Sequence, residues 1–138
     1  MSYLIDTNIL SELRRKAPNA GVVAWFSKRP ASSLYLSVLT LGELRKGVEG
    51  IADTERRMTL LDWLEADLPN FFMGRILAVD VHVADRWGRM VAQAGRPLPA
   101  IDSLLAATAA HHDLSLVTRN VKDFANVGLE VINPWGES

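Results

Sequence analysis

The chain has 138 residues, close to the length of one domain, and 49% of them are hydrophobic, which supplies a core and argues against disorder. With 15 Lys and Arg against 16 Asp and Glu the formal charge is −1, so there is no general basic field and any nucleic-acid partner has to be met by a local site. The absence of cysteine excludes disulfides, thiolate zinc sites, iron–sulfur clusters and thiol nucleophiles, leaving oxygen and nitrogen chemistry.

Tyr3-Leu4-Ile5 is a short apolar run that meets Asp6-Thr7-Asn8, three residues that favour helix N-caps, before Ile9, Leu10 and Leu13 begin a helical spacing. This reads as a strand entering a helix. The same N-terminus has no basic region ahead of an apolar core, so it is not read as a signal peptide, and a cytoplasmic location is expected. Pro18-Asn19 opens a second helical segment over Val22 to Lys28, which stops at Arg29-Pro30, and Ser33 to Ser37 follows as a strand. Pro30 to Gly42 is the longest stretch free of Asp, Glu, Lys and Arg, well short of the ~20 residues that cross a bilayer, so no membrane partner is expected.

Leu41, Leu44 and Val48 carry a third helix, and Asp53 to Asp67 repeats the helical pattern through Met58, Leu61 and Leu64. Arg75 to Val79 returns to the pattern of a buried strand. Val81 to Gln93 is amphipathic, Gly95 to Pro99 is a turn-rich connector, and Ala100 to His111 is apolar or small on nearly every face, the mark of a buried helix. Leu114 to Thr118 and Glu130 to Ile132 supply two more strands. Strands alternating with helices imply parallel crossovers, so the expected fold is a single α/β domain over residues 1–138, a three-layer α/β/α sandwich with a mostly parallel central sheet.

Ligands of such sheets bind beyond the carboxyl ends of the strands, which gives weight to acids placed there. Asp6 follows the first strand, Asp123 lies just past the fourth, and Asp102 sits in the first turn of the buried helix; Glu43 borders the apolar stripe of the third helix. Taken singly, each has a plain structural explanation: an N-cap, a charge favoured at a helix start, an Asx turn, a half-exposed helix residue. Only convergence on one crevice makes them a site. Two carboxylates ~4 Å apart at an effective dielectric of ~20 repel by about 4 kcal/mol, so such a cluster takes up protons or holds a cation. All-oxygen donors suit Mg²⁺ or Mn²⁺, and a cation of that kind implies phosphodiester hydrolysis.

Five segments in order resemble the PIN-domain ribonucleases, and among them VapC-type toxins of the FitB-like branch. They are Tyr3 to Leu13, Thr40-Leu41-Gly42-Glu43-Leu44, Pro97 to Asp102, Thr118-Arg119-Asn120-Val121-Lys122-Asp123-Phe124 and Asn133-Pro134-Trp135. The resemblance covers nearly the whole chain. It implies that Asp6, Glu43, Asp102 and Asp123 form a catalytic quartet holding Mg²⁺ or Mn²⁺, with Asp6 and Asp102 as direct ligands and Glu43 and Asp123 acting partly through water. Thr7, Thr118 and Asn120 fall on positions that line the site and orient water or an acid. It further implies an RNA substrate, often transfer RNA, a small cognate antitoxin that binds operator DNA, a homodimer and a toxin–antitoxin hetero-oligomer.

Other features carry less. Gly42 and Gly47 have the spacing of a phosphate-binding loop, but Val48-Glu49 stands where Lys-Ser/Thr is required. His82, His111 and His112 are not paired with acids at metal spacing. The basic runs Arg14-Arg15-Lys16, Arg45-Lys46 and Arg56-Arg57 read as solvated helix faces, and Trp25, Trp63, Trp87 and Trp135 as core or half-buried residues. Two other functions fit an acidic crevice: a binding module without catalysis, and an aspartyl-phosphate phosphatase or receiver-like protein. The second would call for an Asp pair and a lysine that the motifs lack.

Overall fold

Apolar alternation along the strands settles the layers. The computed structural model describes residues 1–136, so Glu137 and Ser138, the end of the expected domain, lie outside it. In chain order the elements are β1 (Tyr3–Ile5), α1 (Thr7–Leu13), α2 (Ala20–Ser27), β2 (Leu34–Ser37), α3 (Val38–Glu49), α4 (Thr54–Asp62), α5 (Leu68–Phe71), β3 (Ile76–Leu77), α6 (Val81–Ala94), α7 (Ala100–His111), β4 (Ser115–Val117) and β5 (Val131–Ile132). All pairings are parallel, in the order β3-β2-β1-β4-β5. Tyr3, Ile5, Leu34, Leu36 and Val117 point to one face, where Ile9, Val22, Leu44, Leu60 and Leu68 from α1 to α5 cover them. Leu4 and Leu116 point to the other, against Leu105, Ala106 and Ala109 of α7. Period-two side chains buried on both faces are what a parallel sheet between helix layers requires.

Helix starts follow the capping residues. The Asn19 side chain accepts from the N–H groups of Gly21 and Val22 at 2.9 and 3.2 Å and so opens α2. Gly21 also lies under the chain's C-terminal segment: a Cβ there would sit 2.7 Å from the Pro134 carbonyl oxygen. Gly21→Ala therefore forces backbone apart, and we expect a loss of about 1–3 kcal/mol, read as a lower midpoint in urea unfolding.

Two segments differ from their sequence pattern. The helix expected over 53–67 continues to Phe71 despite Pro69, because a wider turn over Trp63–Asp67 intervenes between α4 and α5. Proline has no N–H and crowds the carbonyl four residues earlier, and a turn with i→i+5 spacing relieves both demands. The buried strand expected over 75–79 is instead a pair of half-buried residues at the sheet edge. Arg75 ties that edge down by donating from its side chain Nε to the Leu34 carbonyl at 2.9 Å. No helix among the described residues is long and apolar enough to cross a membrane.

The connection from β1 leads outward to β2, whereas β4 enters on the opposite side of β1. Strand order reverses between them, so a crevice opens at the carboxyl ends of β1 and β4, where Asp6 and Thr118 stand.

Candidate active site

Asp6 is placed twice over. Its N–H continues the sheet to the Val117 carbonyl at 2.9 Å, and its Oδ1 caps α1 by accepting from the Thr7 N–H at 2.7 Å. The other oxygen accepts from the Thr118 hydroxyl at 2.7 Å, and the side chain is almost wholly buried. Thr118 in turn accepts from Asn8 Nδ2 at 3.2 Å and from the Asn120 N–H at 3.1 Å, while Asn8 Oδ1 accepts from the Arg119 N–H at 3.2 Å. These bonds lock the end of β1 to the loop after β4. Thr7 donates its hydroxyl to Glu43 Oε1 at 2.5 Å, which brings α3 to the same place. The start of α3 is fixed directly after β2 by Ser37, whose hydroxyl accepts from the Leu39 N–H at 3.0 Å.

A cleft of about 500 Å³ takes in Asp6, Thr7, Glu43, Asp102 and Asn120 together. Thr118 lies fully buried beneath it. Asp123 does not line the cleft: it is exposed, in the short helical turn Val121–Phe124. Its charge still reaches the cluster and adds to the upward push on the Asp6 and Asp102 carboxyls. A second cavity of similar size, bounded by Arg86, Met90, Gln93 and Val127, contains no carboxylate.

Burial, first of all, pushes the Asp6 carboxyl above the usual carboxylate range; the hydrogen bonds from Thr118 and Thr7 oppose this, and Glu43 and Asp123 add to it. Asp102 is also raised, first by burial and then by Asp6, Asp123 and Glu43. Among the described residues none of the four acids is in a salt bridge. The cluster therefore has an unmet demand for positive charge, and its donors are all oxygen, which fits a hard divalent cation. The described residues hold no ready cage of three or more His, Cys, Asp or Glu ligands. An open site, with one or two carboxylates binding directly and water completing the shell, is the form Mg²⁺ favours.

Asn8 and Glu12 are the residues that the acid-centred reading passed over. Asn8 organises Thr118 and Arg119, and the buried Glu12 lines the cleft while accepting from the Asn19 N–H at 2.8 Å. Their i, i+4 spacing on α1, one residue beyond the apolar stripe, was the available signal.

Thr118→Val tests the support beneath Asp6. It removes a hydrogen bond that lowers the Asp6 pKa, takes one of two acceptors from Asn8 Nδ2 and leaves the Asn120 N–H without its acceptor, at a cost of about 1–3 kcal/mol in stability. With that bond gone, Asp6 holds its proton to higher pH, so the acid limb of the activity profile should move upward while activity well above it recovers. An unmoved limb would contradict the assignment.

Comparison with known proteins identifies the fold and the family. The family model for the PIN domain matches residues 3–129. The chain is 37% identical over 135 residues to the toxin FitB of Neisseria gonorrhoeae, covering 96% of this chain and 97% of that one. It is 34% identical over 135 residues to the VapC ribonuclease Y4jK of Sinorhizobium fredii, covering 96% of each. The crystal structure of FitAcB from Neisseria gonorrhoeae superimposes with a TM-score of 0.91 at 36% identity, covering 98% of this chain and 99% of that chain. The expected sandwich is thus borne out, with a wholly parallel sheet, and the chain belongs to the PIN domain family.

Proposed function

We propose that residues 1–138 act as one PIN-type domain, a Mg²⁺- or Mn²⁺-dependent endoribonuclease that serves as the toxin of a toxin–antitoxin pair. The observation that carries this is the convergence of Asp6, Glu43 and Asp102, from three separate elements, on one cleft, with no basic side chain paired to them among the described residues. Asp6 and Asp102 would hold the cation directly, and Glu43 and Asp123 would act partly through water. When bound, the cation orients the phosphodiester, lowers the pKa of water and offsets charge on the leaving oxygen. Thr7 holds the Glu43 carboxylate in place, Thr118 does the same for Asp6, and Asn120 stands at the cleft wall to orient water or substrate.

Transfer RNA is the substrate class to try first, since one relative, 29% identical over 133 residues, is named a tRNA(fMet)-specific endonuclease. A small operator-binding antitoxin is the expected partner, because FitAB has been solved bound to a DNA fragment. A homodimer, a hetero-oligomer with the antitoxin and a cytoplasmic site of action complete the proposal. Aspartyl-phosphate chemistry is disfavoured: the first strand ends in a single acid, Asp6, and among the described residues no lysine lines the cleft.

The test is cleavage of a small-RNA pool by the purified, antitoxin-free protein with Mg²⁺, with Mn²⁺ and with chelator, and with Asp102→Asn in parallel. Discrete fragments that need the metal and vanish in the variant are expected. Fragments that persist in chelator or in the variant would overturn the assignment, and a folded protein that binds metal without cutting would favour the binding-module reading.

A further inference from the structure

An RNA strand brings a negative charge on every phosphate into a cleft whose floor is itself acidic. A cation at the centre meets only part of that repulsion, and the remainder falls to the cleft's own basic side chains. Two arginines line it, Arg15 and Arg119. Arg15 lies 3.4 Å from the buried Glu12 and is partly neutralised there. Arg119 makes no ion pair among the described residues; its guanidinium carbon sits 5.0 Å from the ring centroid of Trp135, which also lines the cleft.

Both halves of this pair are anchored. The Arg119 backbone is held by Asn8 and follows Thr118, the residue under Asp6. The Trp135 backbone N–H donates to Asn133 Oδ1 at 3.0 Å, and the half-buried ring packs against the first core cluster. A cation–π contact of this kind engages no N–H donor in a hydrogen bond to an acid, and it restrains the fork at little further entropic cost.

We infer that Arg119, held over Trp135, grips an RNA phosphate adjacent to the one that is cut, and so positions the strand in the cleft. The inference rests on the ribonuclease reading above. Trp135 acts through Arg119. A backbone phosphate is present at every nucleotide, so this grip is indifferent to sequence, and it is made equally before and during the reaction, which places its effect on KM.

Binding is measured with a short, mixed-sequence, fluorescein-labelled single-stranded RNA, in an Asp102→Asn background where the RNA stays whole. Arg119→Ala should weaken binding about tenfold, the scale of a lost charge-assisted contact. It should also reduce the slope of log K against log salt by about 0.7, the share of one single-strand phosphate. Arg119→Lys should keep the slope and lose only a few-fold in affinity. Trp135→Leu should approach the affinity of Arg119→Ala, and Trp135→Phe, which retains a ring, should recover most of it.

In otherwise unaltered protein, Arg119→Ala should raise KM about tenfold, with kcat within about threefold. An unchanged slope and affinity in folded Arg119→Ala would overturn the grip, as would a fall in kcat at constant KM. If the unaltered protein cuts no RNA, the ribonuclease reading itself fails; if it cuts and Arg119→Ala leaves KM and slope alone, only the grip fails.

Discussion

Asp6→Asn should reduce RNA cleavage by on the order of 1000-fold while leaving the fold intact. Asparagine caps helices about as well as aspartate and presents the same oxygen to the Thr7 N–H, so α1 should still start where it does. What the substitution removes is the charge of the most buried acid in the cleft, together with the oxygen that accepts from the Thr118 hydroxyl. Altering groups that merely orient metal ligands typically costs 10–100-fold, so a ligand itself should cost more. Single-turnover cleavage measured beside circular dichroism separates the chemical loss from unfolding. A variant that cuts within about tenfold of the unaltered rate would remove Asp6 from the mechanism.

Asp102→Asn should have opposite effects on stability with and without metal. The Asp102 carboxyl holds its proton more tightly in the folded chain than in the unfolded one, because of burial and three neighbouring acids. Between the ordinary value of 3.8 and that raised value the folded state binds more protons, so stability falls as pH rises through this window. The penalty is fully present above the raised pKa and absent below the ordinary one. Metal-free Asp102→Asn should therefore be at least as stable as the unaltered protein at neutral pH, with a flatter pH dependence. With Mg²⁺ at about 100 times its Kd, the unaltered protein should gain about 2.7 kcal/mol, or about 10 °C in Tm, and the variant little of this. An equal metal-induced rise in both proteins would place the ion elsewhere.

Local rules made much of this legible. An apolar triplet meeting Asp6-Thr7-Asn8 could hardly be anything but a strand entering a capped helix, and the small-residue pattern of 100–111 required burial on both sides. Glu43 was less legible: its place on α3 followed from periodicity, but its approach to Thr7, 36 positions away, depends on how α3 packs on α1. The bonds of Asn8 and Thr118 span 110 positions and exist only because β1 and β4 are neighbours. Asp123 shows the limit of a motif, since a correct spacing placed its charge near the cluster while its side chain stayed outside the cleft. At β3, apolar content had the pattern of a buried strand because nothing in a short run distinguishes an edge from an interior position.

Calorimetric titration of Mn²⁺ into metal-free protein tests whether acids from separate elements jointly hold a divalent cation needed for RNA cleavage. The protein should bind Mn²⁺ with an enthalpy that depends on buffer at mildly acidic pH, because Asp6 and Asp102 give up protons that they hold more tightly than ordinary carboxylates. Asp6→Asn and Asp102→Asn should each abolish that binding. Mn²⁺ binding of unchanged affinity in both variants, or none in the unaltered protein, would show that these acids do not hold the cation.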